Sequence, residues 1–246
     1  MKLYKYRDFS QPTEEEFQRL SEVLNQNTFW CARPAALNDP KEFSWRCDYK
    51  LTDATIPLLT QLLIQQRGRN PAQAQALAAA AVSGGNLEAL ATPIFNELIE
   101  QCRSEIGLAC FGGSSENEVL WQRYGGAGAG ICIEIDAPSE LLNRVLFTVQ
   151  YPLEKVLHID QLLQSFLDAS QVQDIYSVAL LSKPPNWSPE SEIRFVAQKQ
   201  NVAVRIEGSR ISCIVLGPHL SHDARQRIES IVGSLTYRLM VKSKGV

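Results

Sequence analysis

GLACFGGSSENEVLWQRYGGAGAGICIEID, residues 107–136, reads as a strand, a polar turn, a short helix, a run of glycines and a second strand. The first strand belongs to IGLACF (106–111) and the second to GICIEID (130–136), both rich in apolar and β-prone residues. A short helix near Asn117 to Tyr124 precedes the glycines GGAGAG (125–130). That order argues against a nucleotide loop of the doubly wound kind. Such a loop follows a strand and opens a helix whose free amides face the phosphate, whereas these glycines close a helix and open a strand. Neither G-x-G-x-x-G nor G-x-x-x-x-G-K-[ST] occurs in the run. The expected role is a helix stop with close backbone approach, the alternative being backbone amides that line a ligand cleft.

Working outward toward the N-terminus, KLYKYR (2–7) reads as a first strand, and Thr13 with Glu16 forms a capping box for a helix reaching about Asn25. TFWCAR (28–33) is a second strand, followed by the turn signals of PAALNDPKE (34–42). From about Asp53 to Arg103 the pattern becomes helical, with Ile56, Leu59 and Leu63, then Leu87, Leu90, Ile94 and Leu98. This block reads as a helical insertion with a packing or lid role. Toward the C-terminus the expected elements are a strand RVLFTVQY (144–151), a helix around 160–181, and the strands EIRFVAQ (192–198), VAVRI (202–206) and RISCIVL (210–216). Glu207-Gly208-Ser209 is the hairpin turn between the last two, and a helix from Ser221 and a strand TYRLMVK (236–242) follow. Strands at both ends and helices between them predict an α+β fold, read as a single domain over 1–246 interrupted by helices at about 53–103.

The chain has 246 residues, 45% of them hydrophobic, with 24 Lys plus Arg against 27 Asp plus Glu, so a substantial core can form without disulfide or metal staples. A formal charge of −3 argues against nucleic-acid binding driven by overall positive charge and leaves room for a local basic patch. No apolar stretch approaches the roughly 18 residues of a spanning helix, and MKLYKYRDFS has no apolar signal core, so the expectation is a cytoplasmic protein with no membrane partner. The six cysteines form no C-x-x-C pair and most sit among apolar neighbours, as expected of reduced packing thiols. His158, His219 and His222 make no H-x-H or H-E-x-x-H pattern, and G-x-S-x-G is absent.

The sharper signals are polar residues at the ends of core segments: Arg7 closing the first strand, Asn38, Asp39 and Glu42 after the second, and Trp121 with Tyr124 at i, i+3. Lys183, Trp187, Glu190, Glu192 and Arg194 cluster late in the chain. If Glu190 already belongs to the strand, then Glu190, Glu192 and Arg194 project from one face, and two carboxylates there suit acid–base chemistry, cation stabilisation or a metal. The same spacing also suits an ordinary ion pair.

Taken together, LYKYR (3–7), RPAALNDPKE (33–42), residues 107–136 and KPPNWSPESEIRF (183–195) resemble the bacterial domain of unknown function 2971 family. Two features depart from it: Gly112-Gly113 stands where that family has Ser after Cys-Phe, and 53–103 carries no matching motif. The motif order is also similar to a distant ADP-ribosyltransferase layout, which implies a mixed or antiparallel split sheet flanked by helices and NAD or a related nucleotide as substrate. On that resemblance Arg7 would hold a phosphate or ribose, Tyr124 would contact the nicotinamide, Glu192 would be the catalytic acid and Glu190 would orient the acceptor. Tyr6, Asn38, Asp39, Trp121, Lys183 and Arg194 are the further candidates for cofactor contacts. The implied setting is bacterial defence against phage, with a protein or nucleic-acid acceptor left open and no metal expected.

Two other readings stand beside it. Asp39, Glu42, Glu134, Asp136, Glu190 and Lys183 could serve a metal-dependent phosphodiesterase or nuclease. The same polar residues could instead fasten a non-catalytic binding or sensing module, with a buried Arg7 paired to Glu192.

Overall fold

Leu3, Lys5 and Arg7 alternate with Lys2, Tyr4 and Tyr6 along the first strand, β1 (Lys2–Arg7), as a period of two requires. Next come α1 (Glu14–Gln26), β2 (Thr28–Cys31), β3 (Arg46–Asp48), α2 (Thr55–Arg67), α3 (Pro71–Ser83), α4 (Leu87–Glu105), β4 (Gly107–Phe111) and α5 (Glu118–Tyr124). The chain continues with β5 (Ile131–Asp136), β6 (Leu146–Thr148), β7 (Val156–His158), α6 (Ile159–Leu167), β8 (Ile193–Ala197), β9 (Val202–Arg205), β10 (Arg210–Leu216), α7 (His222–Gly233) and β11 (Met240–Ser243). The structure is a computed structural model that describes residues 1–39, 45–168 and 178–245, without the side chains of residues 98, 101 and 102. The fold is α+β, with mixed and antiparallel sheets.

Contacts divide the chain into two compact units, one made of Met1–Arg33, Ile106–Val149 and Asn186–Val246, the other of Pro34–Glu105 and Gln150–Pro185. The first unit holds a four-stranded sheet in the order β1-β5-β10-β11, antiparallel except for the parallel β10–β11 edge. It also holds the antiparallel sheet β4-β8-β6 and the antiparallel pair β2-β9. Its core joins Leu3, Ile131, Ile133, Ile135 and Ile214 to Phe29, Phe111, Leu146 and Phe195 of the other strands. α1 closes one side of that core. Thr13 and Glu16 form the reciprocal capping box, and Phe17, Leu20 and Leu24 fall on the buried face. Full burial of such a leucine stabilises by roughly 1.5–3 kcal/mol.

The second unit contains α2, α3 and α4 together with α6 and the parallel pair β3–β7. The alanine-rich stretch is not featureless in three dimensions, because Ala74, Ala78 and Ala81 make the buried stripe of α3. Asp160 accepts hydrogen bonds from Thr52 and Thr55 at 2.6 and 2.8 Å, and Phe95 stacks on Phe166 with centroids 5.6 Å apart. The helical block read over 53–103 therefore lies inside a wider unit that also recruits 34–52 and 150–185.

Several expected strands are shorter than their apolar pattern. RVLFTVQY contracts to Leu146–Thr148 because the amides of Arg144 and Val145 close a turn on the Leu141 carbonyl, both at 3.1 Å. TYRLMVK yields only Met240–Ser243, since Tyr237 turns its hydroxyl to the Leu24 carbonyl at 2.7 Å. The helix expected around 160–181 ends as α6 at Leu167, and 169–177 lie outside the described residues.

Candidate functional site

The site is built where two strands part company over a third. On the side of β4 away from β8, Leu108 exchanges backbone hydrogen bonds with Ala32 beyond β2, at 2.8 and 2.9 Å. Gly112, just past β4, does the same with Tyr4 of β1 at 2.8 and 3.1 Å. Cys110 falls between these two bridges, where neither strand reaches it, and its carbonyl accepts instead from the Lys5 ammonium at 2.9 Å. The sheet is thus split at Cys110, with a side-chain cation standing in for a strand amide. The glycine at 112, one of the departures from the resembled pattern, has a local reason: a Cβ there would collide with Leu120 of α5.

Lys5 and Arg7 share one face of β1 and lie opposite Ile133 and Ile131 of β5. Burial lowers both pKa values from their ordinary ranges. After burial, the influences on Lys5 are Cys110, Arg7 and Glu192, and those on Arg7 are Arg19 and Glu16. The Arg7 side chain makes no hydrogen bond or ion pair with any described residue. A desolvated guanidinium without a carboxylate ligand is the state that an anion relieves. The glycine run adjoins it, because a Cβ at Gly130 would strike the Arg7 carbonyl.

Glu192 and Arg194 complete the site from β8. Arg194 is wholly buried and Glu192 is 4% exposed, with Nε to Oε1 at 2.8 Å and Nη2 to Oε2 at 3.4 Å. Arg194 lies opposite Cys110, and Glu192 lies within electrostatic reach of the thiol. Burial first, and Glu192 second, push the Cys110 thiol up to about 12, so it is a packing group and no nucleophile at neutral pH. Lys5 lies within the electrostatic reach of both Arg7 and Glu192. Arg194 and Lys5 therefore both act on the Glu192 carboxylate, and Arg7 acts on Lys5.

Glu190 does not join them. The expectation that Glu190, Glu192 and Arg194 share one strand face fails, because Glu190 ends the 3-10 segment Pro185–Glu190 and the strand starts only at Ile193. Ser191 between the two glutamates is left-handed at φ 47°, which breaks the alternation and sends Glu190 elsewhere. The Glu190 carboxylate accepts from Arg123 at 2.9 Å and from Tyr124 at 2.8 Å, while Arg123 lies over the Trp187 ring at 4.7 Å. The Tyr124 hydroxyl is thus engaged with Glu190. The Arg7–Glu192 pair of the sensing-module reading also differs from the structure, in which Glu192 pairs with Arg194 and Arg7 has no ion pair with any described residue.

Tyr6 and Trp121 lie on the opposite face of β1 from Arg7. Their rings meet edge to face at 5.2 Å, and each polar atom is satisfied, Tyr6 by the Ser114 carbonyl at 2.6 Å and Trp121 by the Ser115 carbonyl at 2.7 Å. Both are packing residues there, together with Cys132, Cys213 and Val215. Asn38, exposed, and Asp39 and Lys183, both buried, belong to the second unit, and Glu42 lies outside the described residues. Of the acidic residues expected for metal chemistry, Glu134 and Asp136 are answered by Lys2, with Lys242 and Arg210 as further partners. No cluster of three or more His, Cys, Asp or Glu side chains suited to a metal occurs among the described residues.

No family model matches the chain, no curated protein matches it, and no solved structure matches it. Among the described residues, no helix is long and apolar enough to cross a membrane. Two residues of the geometry hold no role in the sequence reading: Lys5 ranks behind Arg7 for a diphosphate, since a guanidinium binds it bidentately, and Cys110 reads as core. The available signal was that Lys5 and Arg7, two residues apart, must share a face with the apolar Leu3.

Chemically, the arrangement can hold an anion on Lys5 and Arg7 with a carboxylate within reach of Lys5. Arg194 fixes the orientation of the Glu192 carboxylate through the forked contact.

Proposed function

We propose that the protein is an ADP-ribosyltransferase-like enzyme acting on NAD or a related nucleotide at the split between β1 and β2. The observation that carries the reading is the unpartnered, desolvated guanidinium of Arg7 beside Lys5, with the Glu192 carboxylate within electrostatic reach of Lys5. A guanidinium presents a planar fork that matches phosphate oxygens, so Arg7 takes the diphosphate and Lys5 adds a point charge. Glu192 faces the reacting ribose. When the bond from C1′ to the nicotinamide nitrogen breaks, the electron pair leaves with nicotinamide and positive charge grows on the ribose, where a fixed carboxylate stabilises it. The Arg123–Glu190–Tyr124 cluster braces α5 and has no chemical step in this scheme. The setting proposed for the activity is bacterial, with defence against phage as the context that the family resemblance suggests.

Incubation with NAD and measurement of released nicotinamide tests the reading. Glu192→Gln is expected to lower the rate by at least about 100-fold, in the range seen when one electrostatic stabiliser is removed. Equal rates in the variant and the wild type would overturn Glu192 as the catalytic group.

A second reading, a nucleotide-sensing module without catalysis, is favoured by one observation: Glu192 is already held by a wholly buried Arg194. In that case NAD binds, no nicotinamide is released, and Glu192→Gln changes stability alone.

A further inference from the structure

A cavity of about 530 Å³ opens beside the C-terminal end of α1, and none of its lining residues belongs to the split site. Its walls include Asn25, Gln26, Arg205, Arg210, Tyr237 and Arg238. Three arginines thus meet at one hollow in a chain whose formal charge is −3. Arg210 pairs with Asp136 at 3.1 Å, an aspartate that Lys2 also engages. Arg205 and Arg238 are exposed and make no hydrogen bond or ion pair with any described residue.

A structural duty for these arginines, capping α1, does not account for them. The helix has no basic residue in its last turn, but the Val23 carbonyl is taken by the Asn27 amide at 2.8 Å and the Leu24 carbonyl by the Tyr237 hydroxyl at 2.7 Å. The helix dipole contributes only about half a negative charge, so the hollow keeps a positive field.

The pair β2-β9 extends this surface with an aromatic ring. Thr28 lies opposite Arg205 and Trp30 opposite Ala203, while Phe29 and Val204 turn to the core. Trp30 and Arg205 therefore share the outer face as diagonal neighbours. Trp30 is 59% exposed, and its direct partner, an alanine, is too small to cover the indole. An uncovered indole next to unpaired arginines suits one chemistry above others, a base that stacks while its phosphates are neutralised.

We propose that this face binds single-stranded nucleic acid, with phosphates on Arg205, Arg238 and Arg210 and a base stacked on Trp30. The site stands independently of NAD chemistry at the split, and its binding is read with no NAD present. The footprint is short. Neutralising two or three phosphates gives a log–log salt slope of about −1.4 to −2 for a single strand.

The test is fluorescence anisotropy of a labelled eight-nucleotide thymidine strand, with a duplex of equal length, thymidine monophosphate and inorganic phosphate as competitors. Arg205→Ala with Arg238→Ala is expected to weaken binding about tenfold or more and bring the salt slope toward zero. Trp30→Ala is expected to weaken it about fivefold or more and leave the slope unchanged, as stacking has no counterion dependence of its own. All three side chains are exposed, so the variants keep the wild-type circular dichroism and Tm. The proposal is overturned if the strand fails to bind in low salt, if the variants bind as the wild type does, or if monophosphate, inorganic phosphate or duplex competes as well as the strand.

Discussion

β1 is one six-residue strand with two faces, and they end in opposite states. On the Tyr6 face the Tyr6 phenol and the Trp121 indole are both satisfied: each donates to a carbonyl of the loop before α5, and their rings lock edge to face. On the Arg7 face two cations are pressed toward an apolar core, one of them holding a stray carbonyl and the other holding nothing. A satisfied aromatic pair stabilises a fold and has no capacity left for a ligand. An unsatisfied guanidinium costs stability and invites an anion. The alternation of a strand is thus able to place structure and function back to back on one strand of six residues.

Substitutions on the two faces should separate these roles. Trp121→Ala strikes the satisfied face, and chemical denaturation should show a loss of about 3–5 kcal/mol, from the cavity and the orphaned Ser115 carbonyl together. A loss under about 1 kcal/mol would mean that α5 is not anchored by this ring. Glu192→Ala removes the carboxylate that holds Nε of the wholly buried Arg194 and should cost about 3 kcal/mol. Adding Arg194→Met to that variant should recover part of the loss, because the guanidinium that lost this contact is then gone. Glu190→Gln is milder, about 1–2 kcal/mol, since an amide oxygen still accepts from Arg123 and Tyr124 but the charge is gone.

Arg7→Met probes the unsatisfied face, and its effect on the stability of the ligand-free protein should stay within about 1 kcal/mol, with no partner lost and a desolvated charge removed. The smallest signal is the pH dependence from Lys5. Burial lowers its folded pKa below the unfolded value, so folding carries a penalty at neutral pH that lifts as pH rises through the lowered folded value. Lys5→Met should therefore gain stability over the wild type near neutrality and lose that advantage above the pKa of a free lysine. A constant difference between the two melting profiles across alkaline pH would count against a buried ammonium at the split.

How far the sequence could be read follows the range of the forces involved. Local signals carried through: the Thr13–Glu16 capping box, the Ser221 cap of α7, the six-residue β1 and the α+β class all appear as their residues indicate. Lengths suffered where a distant partner competes, as when Tyr237 leaves its strand pattern for the Leu24 carbonyl. The short parallel pair β3–β7 left no trace in the pattern, since three-residue strands are too brief for periodicity to register. In the site, Arg7, Glu192 and Arg194 were legible as polar residues at segment ends. The role of Lys5 was not, because it arises from a gap between two bridges whose partners, Tyr4 and Ala32, are far apart in the chain. Nor was the separation of Glu190 from Glu192, which turns on one left-handed backbone angle at Ser191, a residue with no special propensity for it.

Everything said of the split depends on whether the Arg7 face takes an anionic nucleotide. Isothermal titration of NAD into the wild type and into Arg7→Met, with the melting temperature of each followed in parallel, decides it. Saturable binding that raises the wild-type Tm, and its loss in a variant whose ligand-free Tm is unchanged, is the expected result. Equal binding by both proteins, or none by the wild type, would show that the bare guanidinium at the split is not a ligand site.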